Sequence, residues 1–288
     1  MKPGDARVPL PGRWSLRECA PGTRAAELAA SAAEWLPIAE PASAAAALRA
    51  RGAWTLDGAP RNFDASDWWY RNVFDSPRLQ AGERAVIGFD GLATLATVWL
   101  NGQLLVESDN MFRAHECDVT AALRPAGNEL LIRCASLDDA LSQRRPRPRW
   151  RTPMVAHQQL RWMRTTLLGR TPGWSPPVAG VGPWRDVWLE RRGPQHAIDL
   201  RLETFMQGAE GVVACSVELP HAAGVEAELR LERGGRSHVL RLVATGAQTL
   251  AGELRIADAE LWWPHTHGEP ALYAATLALR APGRPAQV

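Results

Sequence analysis

The side chains best placed to do chemistry cluster after a tight hairpin. Ser108-Asp109-Asn110, closed by Met111-Phe112-Arg113, puts a hydroxyl, a carboxylate, an amide, an aromatic ring and a guanidinium into six consecutive residues. Such a set suits a ligand-facing loop that trades hydrogen bonds with a polar partner, and it equally suits a loop whose polar groups cap their own turn. Paired acids are the other candidate chemistry. Asp138-Asp139 and Asp64 with Asp67 are the closest pairs of aspartates in the chain. Adjacent residues on a strand point to opposite faces, so Asp138 and Asp139 would not converge, and both pairs are expected to be solvated loop carboxylates. His265 and His267 have no third ligand nearby and read as an exposed loop. The four cysteines, Cys19, Cys117, Cys134 and Cys215, show no CxxC spacing. No metal and no cofactor are therefore expected. Cys117 and Cys134 either meet across adjacent strands or, as we expect, stay free and buried.

The elements that must carry these residues are mostly strands. Thr94–Leu100 is rich in β-branched and apolar residues, Asn101-Gly102 supplies two positive-φ positions, and Gln103–Val106 returns. Trp68–Phe74, Arg84–Phe89, Glu129–Cys134 and Asp186–Glu190 read as further short strands separated by turn residues. Such spacing without intervening helices indicates an antiparallel sandwich or jelly roll. Earlier, Trp14–Leu16 reads as a first strand, and the Ala-rich stretches 24–35 and 42–50 as short helices. Leu141 to Pro183 is a long exception. Prolines in Arg144–Arg151 favour extended backbone, 155–168 is more compatible with helix, and Trp150, Trp162, Trp174 and Trp184 argue for order. After Gly193-Pro194 come six strand-like runs, with clear alternation in Val225–Arg233, as expected for an immunoglobulin-like sandwich. We expect two all-β domains, a jelly roll over 1–192 and an immunoglobulin-like sandwich over 193–288, with Trp262-Trp263 in the core of the second.

Composition narrows the function classes. The 288 residues are 46% hydrophobic and 22% charged, as in globular proteins. Thirteen Trp against two Tyr and five Phe fit carbohydrate handling, where flat rings stack, and fit a β-rich core equally well. The net charge is +2, but Arg144–Arg170 holds eight Arg and no acid. That band carries +8, so the rest carries −6, the difference between +2 and +8. A nucleic-acid partner is not expected, because no recognised RNA- or DNA-binding motif surrounds the band. No apolar leader and no run near about 18 apolar residues are present, so a membrane partner is not expected and a cytoplasmic location is.

The run Val98–Leu105, followed by Asp109–Arg113 and Asp118-Val119-Thr120, resembles the sugar-binding domain of glycoside hydrolase family 2 enzymes, in particular the β-mannosidase branch. Gly182–Arg185 and Asp186–Glu190 fit the same pattern, as do Leu261–Pro264, Gly268 and Leu272-Tyr273 in the second domain. This resemblance implies a galactose-binding-like jelly roll, an immunoglobulin-like domain that would take one further strand, and then a (β/α)₈ barrel bearing two glutamates about 5 Å apart. A barrel needs at least about 200 further residues, so residues 1–288 are expected to hold no catalytic residue. The implied partners are a β-mannoside or related glycoside and a barrel in cis or in trans. In the β-mannosidase branch a Gly-Trp-Asp-Trp-Gly-Pro run meets the bound sugar. Its place here is Gly173-Trp174-Ser175-Pro176-Pro177, so Ser175 stands where the family has Asp. The resemblance thus marks Trp174, Ser175, Asp109, Asn110, Arg113 and Trp162 as candidate sugar contacts, with Trp174 as a loop anchor the competing reading. The Arg-rich band hints at an acidic or otherwise altered glycan.

Overall fold

The computed structural model describes residues 7–30, 34–146 and 149–281. These divide into two compact units, 7–191 and 192–281.

The first unit contains strands β1 (Arg7–Pro9), β2 (Arg13–Cys19), β3 (Leu36–Ile38), β4 (Asp67–Phe74), β5 (Arg84–Phe89) and β6 (Leu92–Ala93). It continues with β7 (Ala96–Leu100), β8 (Gln103–Ser108), β9 (His115–Asp118), β10 (Asn128–Cys134), β11 (Gly182–Pro183) and β12 (Val187–Arg192). A six-stranded sheet runs β3-β2-β4-β10-β7-β8, and a four-stranded sheet runs β1-β12-β5-β9. All described pairings between these strands are antiparallel. Strand β4 sits mid-sheet, and its aromatic and β-branched residues fill both faces. Trp68, Tyr70 and Phe74 enter the core, while Trp69 stacks on Trp99 from the other side, 5.5 Å between ring centroids. Strand β10 alternates as its sequence suggests, with Leu130, Ile132 and Cys134 inward. The opposing sheet adds Ala85, Ile87, Phe89, Val187 and Leu189 to the same core.

The hairpin between β7 and β8 turns at Asn101 and Gly102, both at positive φ (52° and 85°). Asn101 also pins the turn to the body. Its amide donates to Asn128 Oδ1 at 2.9 Å and to the Ala122 carbonyl at 2.8 Å, while its carbonyl oxygen accepts from the Glu129 amide.

Two short helices, α1 (Ala25–Ala30) and α2 (Ala44–Ala50), lie in the Ala-rich stretches. A third, α3 (Leu137–Ser142), was not anticipated. Ser136 caps it by accepting from the Asp139 amide at 3.2 Å, so Asp138 and Asp139 lie in a first helical turn rather than on a strand. The expected helix over 155–168 is only a 3-10 turn, Gln158–Trp162. The Gln158 side chain bonds the backbone of Thr152 and Val155 and holds the preceding chain in a loop. Leu160 instead packs with Leu137 and Leu141 in a small satellite core.

The second unit is a single meandering sheet folded on itself: β13 (Asp199–Gln207), β14 (Glu210–Glu218), β15 (Glu226–Arg233), β16 (Arg236–Ala244), β17 (Thr249–Ile256) and β18 (Ala274–Arg280), in the order β13-β14-β17-β16-β15-β18. Strand β16 pairs with β15 along most of its length and with β17 at Val243-Ala244, so it crosses between the two layers. Val213, Cys215, Val217 and Leu250 meet Leu229, Leu231, Leu240 and Leu279 in its core. The two units are all-β, a galactose-binding-like jelly roll and an immunoglobulin-like sandwich.

Trp262 and Trp263 are not in that core; both are exposed, at 56% and 50%. Their segment is held by one bridge, Trp262 to Pro270, and by the Trp263 amide bonding the Glu269 carbonyl. Strand β18 pairs only with β15 among the described residues. All four cysteines are free.

Candidate functional site

Met111 is the hub of the loops at the end of the jelly roll. It is buried, and its amide donates to the Arg164 carbonyl at 3.0 Å while its own carbonyl accepts from Trp184 Nε1 at 2.7 Å. Its thioether sulfur receives the Thr166 amide and the Thr165 hydroxyl, at 3.0 and 3.4 Å. The loop after β8 and the long loop after α3 are thereby fastened together. Trp184 in turn meets Phe112 edge to face at 6.1 Å and carries Arg185 over its ring at 4.3 Å. A Cβ on Gly91 would come within 2.4 Å of Trp184 Nε1, so only glycine admits the indole here.

Within 108–113 the polar groups divide between the two expected roles. Asn110 caps the turn, its side-chain oxygen accepting from the Phe112 amide at 3.0 Å. Ser108 bonds His115 Nε2 at 3.0 Å. Burial, and then the charge on Arg113, push the His115 pKa below the usual imidazole value, so the ring is neutral at pH 7. Asp109 and Arg113 are exposed.

The long loop lines a groove of about 310 Å³ with Asn62, Asp138, His157, Leu160, Thr171 and Ser175 at its surface. At its base Arg170 grips Asp64 through two bonds of 2.7 Å, and Arg170 also donates to the Thr166 carbonyl at 2.9 Å. Asp64 and Asp67 are thus not solvated loop carboxylates. Asp67 is fully buried and accepts from Arg133, from the Ser136 amide and from the Gly22 amide. Each carboxylate ties a loop to the β4 region, which explains why both are inside. Asp138 accepts from the Asn62 amide at 2.6 Å and is the one groove carboxylate not in an ion pair among the described residues. With Asp64 locked onto Arg170, the groove offers hydrogen bonds to hydroxyls and an apolar wall, but no pair of free carboxylates for glycoside hydrolysis.

Ser175 reaches this groove, yet its hydroxyl already accepts from the Gly169 amide at 2.8 Å and so closes the loop on itself. Trp174 is 77% exposed, which argues against the anchor reading of its ring; among the described residues only its amide is hydrogen-bonded, to the Thr171 carbonyl. Trp162 is half exposed, with Nε1 bonded to the Pro146 carbonyl at 2.9 Å. Sequence reasoning therefore named Ser175 in the groove, and Trp174 and Trp162 on the loop that lines it. It missed Asn62 and Arg170 and took Asp64 for a solvated carboxylate; Asp64 and Arg170 lie 106 residues apart along the chain. His265 and His267 lie in an exposed loop, and among the described residues no group of three His, Cys, Asp or Glu is placed to hold a metal ion. Among the same residues no helix is long and apolar enough to cross a membrane.

Two β-sandwiches in tandem, the first with long loops gathered at one end, define an architecture seen in glycosidases. A β-D-mannosidase from Dictyoglomus thermophilum superposes with a TM-score of 0.70 at 22% identity, over 95% of this chain and 34% of that one. A β-glucuronidase from Bifidobacterium dentium, solved with coumarin-3-O-glucuronide, gives 0.67 at 24% identity, over 97% of this chain and 46% of its own. The chain belongs to the glycosyl hydrolase 2 galactose-binding domain-like family, which matches residues 14–185. Among curated relatives, the Beta-mannosidase B of Neosartorya fischeri is 31% identical over 221 residues, 74% of this chain and 26% of that protein. The Beta-mannosidase B of Thermothelomyces thermophilus is 33% identical over 233 residues, 75% of this chain and 26% of its own. The chain thus spans about a quarter of the length of these relatives.

Proposed function

We propose that these residues are the non-catalytic, carbohydrate-facing portion of a β-mannosidase-like retaining glycoside hydrolase, whose loops at 108–113 and 141–181 shape the rim of a substrate pocket completed by a (β/α)₈ barrel. The observation that carries this is the match to proteins named Beta-mannosidase B across three quarters of the chain. The gathered loops around Met111 and the hydroxyl-binding groove support the rim role, because they present bonded but solvent-open polar groups on a rigid sandwich. In this reading Trp174, Trp162, Asp109, Asn110 and Arg113 contribute to sugar contact. Ser175 acts mainly through its bond to Gly169. Its neutral hydroxyl binds a sugar hydroxyl more weakly than a carboxylate does, so the sugar is a β-mannoside or a related glycoside rather than mannose by necessity. The test is turnover of an aryl β-mannoside. The 288-residue chain should show none alone, while the same chain joined to a family barrel should, and loop variants should then raise KM. Turnover by the 288 residues alone, abolished by one carboxylate change within them, sinks the proposal.

A free-standing carbohydrate-binding module is the second reading, favoured by one observation: Trp150 and Trp174 are 64% and 77% exposed on the same loop. Isothermal titration of the chain with manno- and gluco-oligosaccharides separates the two, since only a module binds them in the absence of a barrel.

A further inference from the structure

We propose that the basic part of the long loop, residues 143–146 and 149–162, is a binding surface for an acidic glycan, one bearing carboxylate or sulfate groups. The inference rests on the carbohydrate-facing reading above and narrows the class of ligand. Between Asp139 and Asp186 the chain carries nine Arg and no acidic residue. Arg170 is engaged by Asp64, but Arg144, Arg145, Arg149 and Arg151 are exposed and make no ion pair among the described residues. Some surface arginines elsewhere in the chain, such as Arg71, Arg84 and Arg255, have carboxylate partners. Others, such as Arg113 and Arg241, are exposed without an ion pair among the described residues. What sets this loop apart is the run of arginines with no acid between them. The absence of acids here leaves a concentrated positive field.

The segment is also built rather than loose. Trp162 Nε1 bonds the Pro146 carbonyl, and Gln159 Nε2 bonds the Gln143 carbonyl at 3.1 Å, so the chain at Gln143 and Pro146 is tied to the 3-10 turn. Arg161 is fixed by bonds to the Gln158 carbonyl and Oε1, and it lies over the Trp150 ring at 4.9 Å. The Trp150 indole remains largely open to solvent. A planar guanidinium matches carboxylate or sulfate in a two-pronged fork, and an indole face accepts the C–H face of a sugar ring. Rings and forks interleaved on one loop fit a short acidic saccharide. A long polyanion such as nucleic acid fits less well, because the remainder of the chain carries −6 and would repel whatever extends beyond the loop.

The experiment titrates the 288-residue chain with tetragalacturonate, with neutral mannotetraose and with a single-stranded oligonucleotide of matched charge, at low and physiological salt. Tetragalacturonate should bind about tenfold tighter than mannotetraose, and its affinity should fall as salt rises. The variant R149Q/R151Q should lose about tenfold and W150A severalfold for the acidic ligand. Both should keep the parent unfolding midpoint, since these side chains are exposed. Equal binding of neutral and acidic tetramers, indifference to R149Q/R151Q, or equal or tighter binding of the oligonucleotide would each overturn the inference. Mannotetraose binding that survives R149Q/R151Q, with no preference for the acidic ligand, overturns this inference and favours the free-standing module. No response to any ligand overturns the inference as well, and the turnover assay with a joined barrel then decides the carbohydrate-facing reading on its own.

Discussion

Arg170 clasps Asp64 with two parallel bonds of 2.7 Å, and neither side chain is more than 8% exposed. The pair joins the long loop to the start of the central strand, 106 residues earlier in the chain. Replacing Arg170 with Met leaves a buried carboxylate without a counter-charge, and such a break costs about 3–5 kcal/mol. Urea denaturation of R170M should show a loss of that size. The double variant D64N/R170M should recover a good part of it, since the orphaned charge is gone. A loss under about 1 kcal/mol in R170M would mean that the clasp is not what holds the loop.

Met111 should behave as a structural hub rather than a surface contact. M111A removes a buried side chain and the sulfur that receives Thr165 and Thr166, and the expected loss is about 2–5 kcal/mol. M111L keeps the volume and should cost below about 1.5 kcal/mol. Limited proteolysis distinguishes local from global loss: cleavage within 150–180 should rise in M111A well before the sandwich opens.

Cys134 sets a limit at alkaline pH. Burial, with a smaller push from Asp67, raises its thiol from 9.0 to about 12 in the folded chain. The folded state therefore keeps a proton that the unfolded state releases. The thiol's contribution to stability is full below about pH 9 and is lost as pH rises towards about 12. Burial of Tyr70 acts in the same direction, so the comparison must be with C134A. The alkaline fall in unfolding free energy should be shallower in C134A than in the parent, and an identical slope would refute the assignment.

The strands were legible because alternation and turn residues are local signals. Asn101-Gly102 located the hairpin, and Val225–Arg233 showed its inward face residue by residue. Helix α3 left a weaker trace. Its cap at Ser136 with acids in the next turn is the standard signature, but six residues are too few to show a helical period. The groove was hardly legible at all. Asn62, Asp64 and Arg170 are brought together by loop packing, which follows no period, and the identity of Asp64 alone says nothing of its burial. Trp262 and Trp263 failed in the opposite sense: a hydrophobic pair implies a core only when some other element covers it, and none of the described residues does.

Trp174 and Ser175 are neighbours with opposite expected behaviour, and they give the sharpest test of the rim reading. The Trp174 ring contributes little to folding at 77% exposure, so W174A should leave stability within about 0.5 kcal/mol. Ser175 accepts the Gly169 amide from a half-buried position, so S175A should cost about 1 kcal/mol, the usual net value of one such bond. Binding should invert the order. In a chain joined to a catalytic barrel, W174A should raise KM severalfold for an aryl glycoside while kcat changes little, as expected for a ring that holds substrate and transition state alike. S175A should raise it less, because its hydroxyl is already occupied. If W174A destabilises the fold and leaves KM unchanged, the indole is an anchor after all, and the sugar contact must be sought elsewhere on the loop.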